Sequence, residues 1–399
     1  MSMNILFFST KSSYSSRKVG GAEMSMRLMA ETFAQSGCDV AYVTTSESRI
    51  LRWDERQVNG VRVLFMPSFR NGCLSFLPLW ITSKLDMLFR RLYSVRQHVQ
   101  LDDVQAIYCF YQLRPLMWFL KNRTRYGYRV IMRMAGLDWL EEIAKKPWKK
   151  PLYQRSFNSV DSINYTSHGL YLLSQEKAQE ISFELQPSDS FVQDIGIRLE
   201  AQEVHTQSEF LAGKLRVVVA TRFSDYQKRQ DILVYAVKAL KDTGQISTKN
   251  FSMLLIGSGV NRTAIQQLIY DLDVQELCTI QGFMPQYELW QVLQAADVLC
   301  HPCEYEGLAK IVAESMVIGL PVIASKVPPF TDIIEQGENG YLCNNDPTSW
   351  SAALAYLMDN PESRRKVSAQ ARSYALEHYN PEVNARKYLR EFSRVCEQT

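Results

Sequence analysis

VLCHPCEYEGLAKIVAESMVIGLPVIAS, residues 298–325, reads as a strand, a loop, a helix and a second strand. Val298–His301 is a short apolar run. Residues 308–318 carry apolar side chains at helical spacing and stop at Gly319. Pro321–Ala324 returns to strand composition. Strands alternating with helices in this way read as βα units of a parallel sheet. The same grammar extends outward. Upstream lie strand Leu215–Ala220, helix Asp231–Leu240, strand Phe251–Ile256 ending in Gly257-Ser258-Gly259, a helix near 261–272, strand Cys278–Gln281 and helix Tyr287–Ala295; helices run from 325 to the end. The first half repeats the pattern, with strands at Asn4–Ser9, Val40–Thr44, Val61–Met66, Ala106–Phe110, Arg129–Arg133 and Ser162–Thr166. Its first helix has Met26, Met29, Ala30 and Phe33 on one face and ends at Gly37. Around 199–213 the apolar pattern lapses. The predicted fold class is therefore α/β, with two Rossmann-like doubly wound parallel-sheet domains facing a cleft at the carboxyl ends of their strands. The expected domains are 1–200, 201–380 and a C-terminal helix, 381–399, that packs back on the first.

Composition narrows the function. With 46% hydrophobic and 22% charged residues, the 399-residue chain is neither disordered nor fibrous. It has no apolar run of membrane-spanning length. MSMNILFFST lacks the features of a signal peptide and reads as the first buried strand. Eight cysteines, mostly in apolar runs, suit a reduced cytoplasmic protein. Cys300-His301-Pro302-Cys303 resembles a metal corner, but no second ligand pair completes it, and no metal is expected. A net charge of +3 does not point to nucleic acid, yet residues 1–200 carry +7 and residues 201–399 carry −4. Such asymmetry suits a face that meets an anionic surface or ligand. Residues 74–98 mix Leu, Phe and Trp with Lys84, Arg90, Arg91 and Arg96. Lys145–Lys150 encloses Trp148. Each is a membrane-surface candidate or a solvated basic edge.

The chemistry concentrates in Glu306–Glu314. A carboxylate follows a strand, a helix begins, and a second carboxylate stands eight positions on. On a helix of about 100° per residue that spacing separates the two by only about 80°, so both can face one crevice. The amides of Gly307, Leu308 and Ala309 would lie unpaired at the helix N-terminus, ready for an anion. Paired carboxylates suit sugar chemistry, where they grip hydroxyls and face a cationic transition state. Two solvated surface glutamates are the plain alternative. Upstream, Arg222 and Lys228 flank a strand-to-helix loop, where two cations can neutralise a departing diphosphate without a metal.

Taken in order, these elements resemble the retaining glycosyltransferases of family 4, whose architecture is GT-B. The matching features are the Arg222…Lys228 loop, LLIGSG at 254–259, IQGFMPQYELWQVLQAADVLCHP at 280–302, and Glu306/Glu314 followed by GLPVIAS at 319–325; GGAE at 20–23 is similar to the family's first motif. The resemblance implies that Arg222 and Lys228 bind the donor diphosphate and that Glu306, the third catalytic residue, touches the transferred sugar. It also implies donor contacts by Gly257 and by the backbone of Gly307, Leu308 and Ala309, a ribose contact by Glu314, and a nucleobase bordered by Phe283. Gly20 and Gly21 would admit the diphosphate to the first domain's backbone. Neither a metal nor another cofactor is expected.

Departures from the family pattern carry expectations of their own. Ala135 stands where the family has a His that meets the donor sugar. Arg133 or Asp138 would act in its place, or the donor lacks the matching hydroxyl, as a 6-deoxy sugar or pentose would. The Arg–Lys loop is one residue longer than usual, with Arg229 at a position usually held by Gly, which leaves Lys228 less secure than Arg222. His168 reads as a turn residue or an acceptor contact. The expected activity is metal-independent retaining transfer from a nucleotide sugar, foremost a UDP-sugar, to a saccharide or lipid-linked hydroxyl acceptor. The setting would be bacterial surface polysaccharide or glycoconjugate assembly, in the cytoplasm or at the inner face of an anionic membrane. The alternatives are an epimerase or phosphorylase on the same fold, or a non-catalytic binder of sugar nucleotides or glycans. GGAEMS does not match a dinucleotide-binding fingerprint.

Overall fold

The computed structural model describes residues 3–15, 19–46, 52–67, 78, 81, 95–198, 214–224 and 227–398. The chain forms two compact units, Met1–Arg198 with Pro381–Thr399, and Leu199–Asn380. Each is a parallel-sheet α/β domain. Most of the basic amphipathic stretch 74–98, the stretch 199–213, His205 and Cys73 lie outside the described residues.

In the first unit, in chain order, the elements are β1 (Asn4–Phe8), α1 (Gly21–Gln35), β2 (Asp39–Thr45), β3 (Asp54–Val58), β4 (Val61–Met66), β5 (Ala106–Phe110), α2 (Leu113–Tyr126), β6 (Arg129–Met134), α3 (Asp138–Lys145), α4 (Lys150–Phe157), β7 (Ser162–Tyr165), α5 (His168–Glu180) and β8 (Ser190–Val192). The sheet order is β3-β4-β2-β1-β5-β6-β7-β8, parallel except for β3. β5, AIYCF, is buried at every position, as expected of a central strand covered on both faces. β3 is absent from the sequence reading because DERQV is a charged edge strand with no inward apolar face. Its signal was the turn: Asn59 and Gly60 both adopt positive φ, 50° and 83°, as a two-residue hairpin requires.

The last helix of the chain, designated αC (Pro381–Glu397), belongs to this unit. Its buried residues Ala385, Tyr388, Phe392 and Val395 follow helical spacing, and Phe392 meets Phe33 of α1 edge-on at 5.6 Å. Burying Phe392 fully contributes up to about 3 kcal/mol. Tyr388 donates its hydroxyl to the Gln193 carbonyl at 2.7 Å, and Asn384 donates to the Ile195 carbonyl at 3.0 Å.

The second unit begins with β9 (Leu215–Ala220), α6 (Gln230–Asp242), β10 (Phe251–Ile256), α7 (Arg262–Asp271), β11 (Cys278–Gln281) and α8 (Gln286–Gln294). It continues with β12 (Val298–His301), α9 (Lys310–Ile318), β13 (Val322–Ser325), α10 (Phe330–Ile333), β14 (Tyr341–Cys343), α11 (Pro347–Asp359) and α12 (Pro361–His378). The sheet runs β11-β10-β9-β12-β13-β14, entirely parallel. Strand order therefore reverses between β9 and β12, and the loops leaving their carboxyl ends diverge around a crevice. Buried Asp297 fixes this pair. It accepts the Arg216 amide at 2.7 Å and the Arg216 guanidinium at 2.9 and 3.1 Å.

Gly257 and Gly259 shape the exit from β10. Their φ values are +153° and +155°, and a Cβ would meet the Thr221 carbonyl oxygen at 2.0 Å or the Phe223 carbonyl oxygen at 2.2 Å. Both glycines thus let the β10 loop lie directly against the backbone that carries Arg222. Gly257→Ala should destabilise this unit by about 2 kcal/mol, or roughly 4–8 °C in melting temperature; an unchanged thermal unfolding curve would contradict the packing described.

Candidate active site at the carboxyl end of the second sheet

Two loops meet at the strand reversal. Residues 221–229 leave β9, and residues 302–309 leave β12. Their backbones are joined directly: Arg229 N–H donates to the Pro302 carbonyl at 3.3 Å, and Glu304 N–H donates to the Gln227 carbonyl at 2.9 Å. Arg229, the departure from the family pattern, holds the junction by pairing with Asp231 and Glu304. Lys228, expected to be the less secure of the two cations, is only 6% exposed and lies in the interior.

There it forms a cluster. The Lys228 ammonium pairs with Glu306 Oε2 and lies 3.3 Å from His301 Nε2, which is itself 3.2 Å from the same carboxylate oxygen. Glu306 Oε1 accepts the Gly307 amide at 3.2 Å. Burial raises the Glu306 pKa, but the Lys228 ammonium and the His301 contact outweigh it and hold the group well below the usual carboxylate range. Burial, then the Lys228 charge, lower the His301 pKa against the opposing pull of Glu306. Neutral imidazole therefore stands between an ammonium and a carboxylate. Its Nε2 accepts from Lys228 in one tautomer and donates to Glu306 in the other, and cannot do both at once.

The other expected residues fall around this cluster. Arg222 is exposed, and its side chain makes no ion pair among the described residues; its backbone carbonyl accepts from Gln230 at 2.9 Å. Helix α9 starts at Lys310, after the extended residue Ala309, and not at Gly307. Gly307, Leu308 and Ala309 are thus a loop leading into the helix, and the Gly307 amide is engaged by Glu306. This corrects the expectation of three unpaired amides at the helix N-terminus. It also removes the helical-periodicity argument for the two glutamates, since only Glu314 is on the helix. Buried Glu314 accepts at Oε1 from Lys310, one turn back on α9, and from Gln286 at the start of α8. Gln286 lies three residues after Phe283, whose ring is 45% exposed beyond β11. Sequence reasoning missed His301, Gln286 and Lys310 as site residues.

In the first unit, Gly20 caps α1 and donates its amide to Glu23 Oε2 at 3.1 Å; Gly21 is the first residue of that helix. Arg133 is 1% exposed, and its Nη2 donates to Ser25 Oγ at 2.6 Å. Asp138 is exposed and accepts from the Tyr111 hydroxyl at 3.1 Å. The two are therefore unequal as substitutes for the family His: burial keeps Arg133 from open solvent, and Asp138 is accessible. His168 opens α5 behind Ser167, whose Oγ accepts the Leu170 amide at 3.1 Å, a helix-cap arrangement.

Among the described residues, His301, Cys303 and Glu306 offer atoms within 4.8 Å of one another and are the group placed to hold a cation. They fit a metal poorly. Burial pushes the Cys303 thiol up to about 12, which keeps it protonated, and the Lys228 ammonium already stands on the other two groups. The seven described cysteines are unpaired thiols.

The depressed His301 pKa sets a sign for stability. The unfolded chain takes up a proton near the ordinary histidine value of about 6.5, whereas the folded unit resists it. His301 stabilisation is therefore complete above that value and is lost as pH falls toward the folded pKa. Between about pH 6.5 and 5.5 the wild type should lose up to about 1 kcal/mol that His301→Gln retains; chemical denaturation at each pH reads the difference, and parallel curves would refute it.

The family profile described as Glycosyl transferases group 1 matches residues 201–374. A D-inositol 3-phosphate glycosyltransferase of Thermomonospora curvata is 29% identical over 154 residues, covering 37% of this chain and 36% of that protein. The match thus spans about a third of that relative's length. Among solved structures, a sucrose-phosphate synthase of Thermosynechococcus elongatus has the same fold, with a TM-score of 0.76 at 17% identity over all of both chains. Anabaena Alr3699/HepE in complex with UDP-glucose reaches 0.70 at 16% identity, over 98% of this chain and all of that one. The sequence match to Glycosyl transferases group 1 is thus confined to residues 201–374, which contain the Lys228–His301–Glu306 cluster.

Proposed function

We propose that the protein is a retaining, metal-independent glycosyltransferase. It would move a sugar from a nucleotide diphosphate sugar, foremost a UDP-sugar, to a hydroxyl of a saccharide or lipid-linked acceptor in bacterial surface polysaccharide or glycoconjugate assembly. The observation that carries this reading is the Lys228–His301–Glu306 cluster at the strand reversal of the second sheet. The UDP-glucose held by the structurally similar Anabaena protein supports the choice of donor.

In this reading Arg222, exposed and uncommitted, reaches the diphosphate first. Lys228 then turns from Glu306 to the phosphate, where its charge offsets what develops as the sugar leaves. His301 takes the tautomer that donates Nε2–H to Glu306, so the carboxylate stays oriented toward the sugar hydroxyls after losing its ammonium. Glu314 receives the ribose, and the exposed Phe283 ring borders the base. The anomeric carbon–phosphate oxygen bond breaks as the acceptor oxygen bonds the same face of that carbon. The acceptor proton passes to the departing phosphate oxygen.

A panel of nucleotide sugars tested for thermal stabilisation identifies the donor; a ligand at 100 times its Kd adds about 2.7 kcal/mol. Glu306→Gln should lower kcat by about 10²-fold or more while UDP affinity stays within about threefold. Arg222→Ala should weaken UDP-sugar binding about tenfold, the scale of one charged hydrogen bond. Full turnover in the first variant, or unaltered donor affinity in the second, would reject the assigned roles.

A further inference from the structure

A second surface, on the first unit, has no part in that chemistry. Residues 113–157 carry eleven Lys and Arg against three acids, an excess larger than the net charge of the whole chain. Arg129 and Arg133 belong to β6; the other nine lie on α2, α3, α4 and the short stretch joining α3 to α4, and α2 packs beside α4. Helix α2 has no acidic residue. Its exposed Arg114, Met117, Lys121 and Arg125 share a face, opposite buried Leu113, Leu116 and Phe119. The single turn Pro147–Lys149 runs straight into α4. Trp148, Leu152 and Arg155, at i, i+4 and i+7, are all exposed there, while Tyr153, Ser156 and Phe157 are buried. The Trp148 indole is 68% exposed, with the Lys149 ammonium 5.6 Å from its ring centre.

Nearby acids do not cancel this charge. Glu141 and Glu142 are taken by Lys145 and Lys149, whereas Arg114, Lys121, Lys146 and Arg155 make no ion pair among the described residues. A shallow groove lined by Lys150, Pro151, Gln154, Arg155 and Asn158 adjoins Leu152. A large exposed amphipathic ring on a stretch that also presents Lys146 and Arg155 without ion pairs suits an interface with an apolar layer beneath an anionic one.

We propose that this face, centred on Trp148 with Lys146, Leu152 and Arg155, docks the protein on an anionic lipid bilayer. The indole and Leu152 would enter the headgroup region, and the cations would meet lipid phosphates. The docking stands independently of the transfer reaction proposed above.

The test uses the full chain and large vesicles of phosphatidylcholine, with or without one third phosphatidylglycerol, in a sedimentation assay. The wild type should bind the anionic vesicles and ignore the neutral ones, and its binding should weaken as salt rises. Each of Lys146→Glu and Arg155→Glu should cost at least about fivefold in affinity, the effect of one charge near such a surface. Trp148→Ala should weaken binding by a factor that persists in high salt. Circular dichroism melting confirms that each exposed variant is folded. Failure of the wild type to sediment, sedimentation untouched by all three substitutions, or retention on single-stranded RNA in place of vesicles would each overturn the proposal. UDP-induced stabilisation, read in parallel, separates the two readings: its loss with vesicle binding intact would reject the donor site alone.

Discussion

An ammonium, an imidazole and a carboxylate share one poorly hydrated space in this protein, and the second unit is arranged around keeping them there. Moving Lys228 and Glu306 out of water is expensive, and their attraction compensates only where geometry is close and remaining hydrogen-bonding capacity is used. Both conditions are met locally: Glu306 accepts from Lys228 and His301 at one oxygen and from the Gly307 amide at the other. Removing one partner would strand the others. Such a cluster is a costly way to stabilise a fold, since an apolar trio would do as well. It becomes intelligible as a resting state in which charge is stored balanced, then shared with a ligand that brings its own anion and hydroxyls.

The sheet makes this arrangement possible. Lys228 and Glu306 are 78 positions apart in sequence and meet because β9 and β12 are adjacent parallel strands whose carboxyl ends share one edge. The apolar strands, their helices and the repeated βα pattern were legible from the sequence because burial on both faces of a parallel sheet leaves continuous Val, Ile and Leu runs. Strand order was a different matter. Nothing in VLCH says that its neighbour is LRVVVA, and without that adjacency His301 reads as half of an incomplete metal corner. A short Cys-His-Pro-Cys string has several uses; only its place at the end of β12, opposite the Lys228 loop, selects among them.

The paired glutamates show the converse failure. Treating Glu306 and Glu314 as one helical face brought both into view for a reason the structure does not support, because Ala309 is extended (φ −71°, ψ 91°) and the helix begins after it. Their environments differ accordingly. Glu306 sits among groups from two loops. Glu314 is tied at one oxygen to Lys310 on its own helix and to Gln286 on α8. A carboxylate held that way suits a fixed contact such as a pair of ribose hydroxyls. One whose ammonium can be drawn away suits the reacting end. Spacing in the sequence drew attention to the two residues and could not distinguish their surroundings.

Charge distribution extends the same reasoning beyond the cluster. Exposed ion pairs contribute about 0–1 kcal/mol each, and concentrated like charge opposes folding through self-repulsion. The exposed cations of residues 113–157 that make no ion pair therefore do little for the fold they sit on, and α2 carries four basic residues without a single acid. The first unit has carboxylates enough to neutralise such a face where structure needs it: Asp161 pairs with Arg123 and Arg129, and Asp189 with Arg394. Those pairs lie where side chains are partly buried. Exposed Arg114, Lys121, Lys146 and Arg155 make no ion pair among the described residues, and Trp148 is exposed on the same stretch. Matched charge where the protein meets itself and unmatched charge where it meets its surroundings is the pattern expected when the missing anions belong to something else.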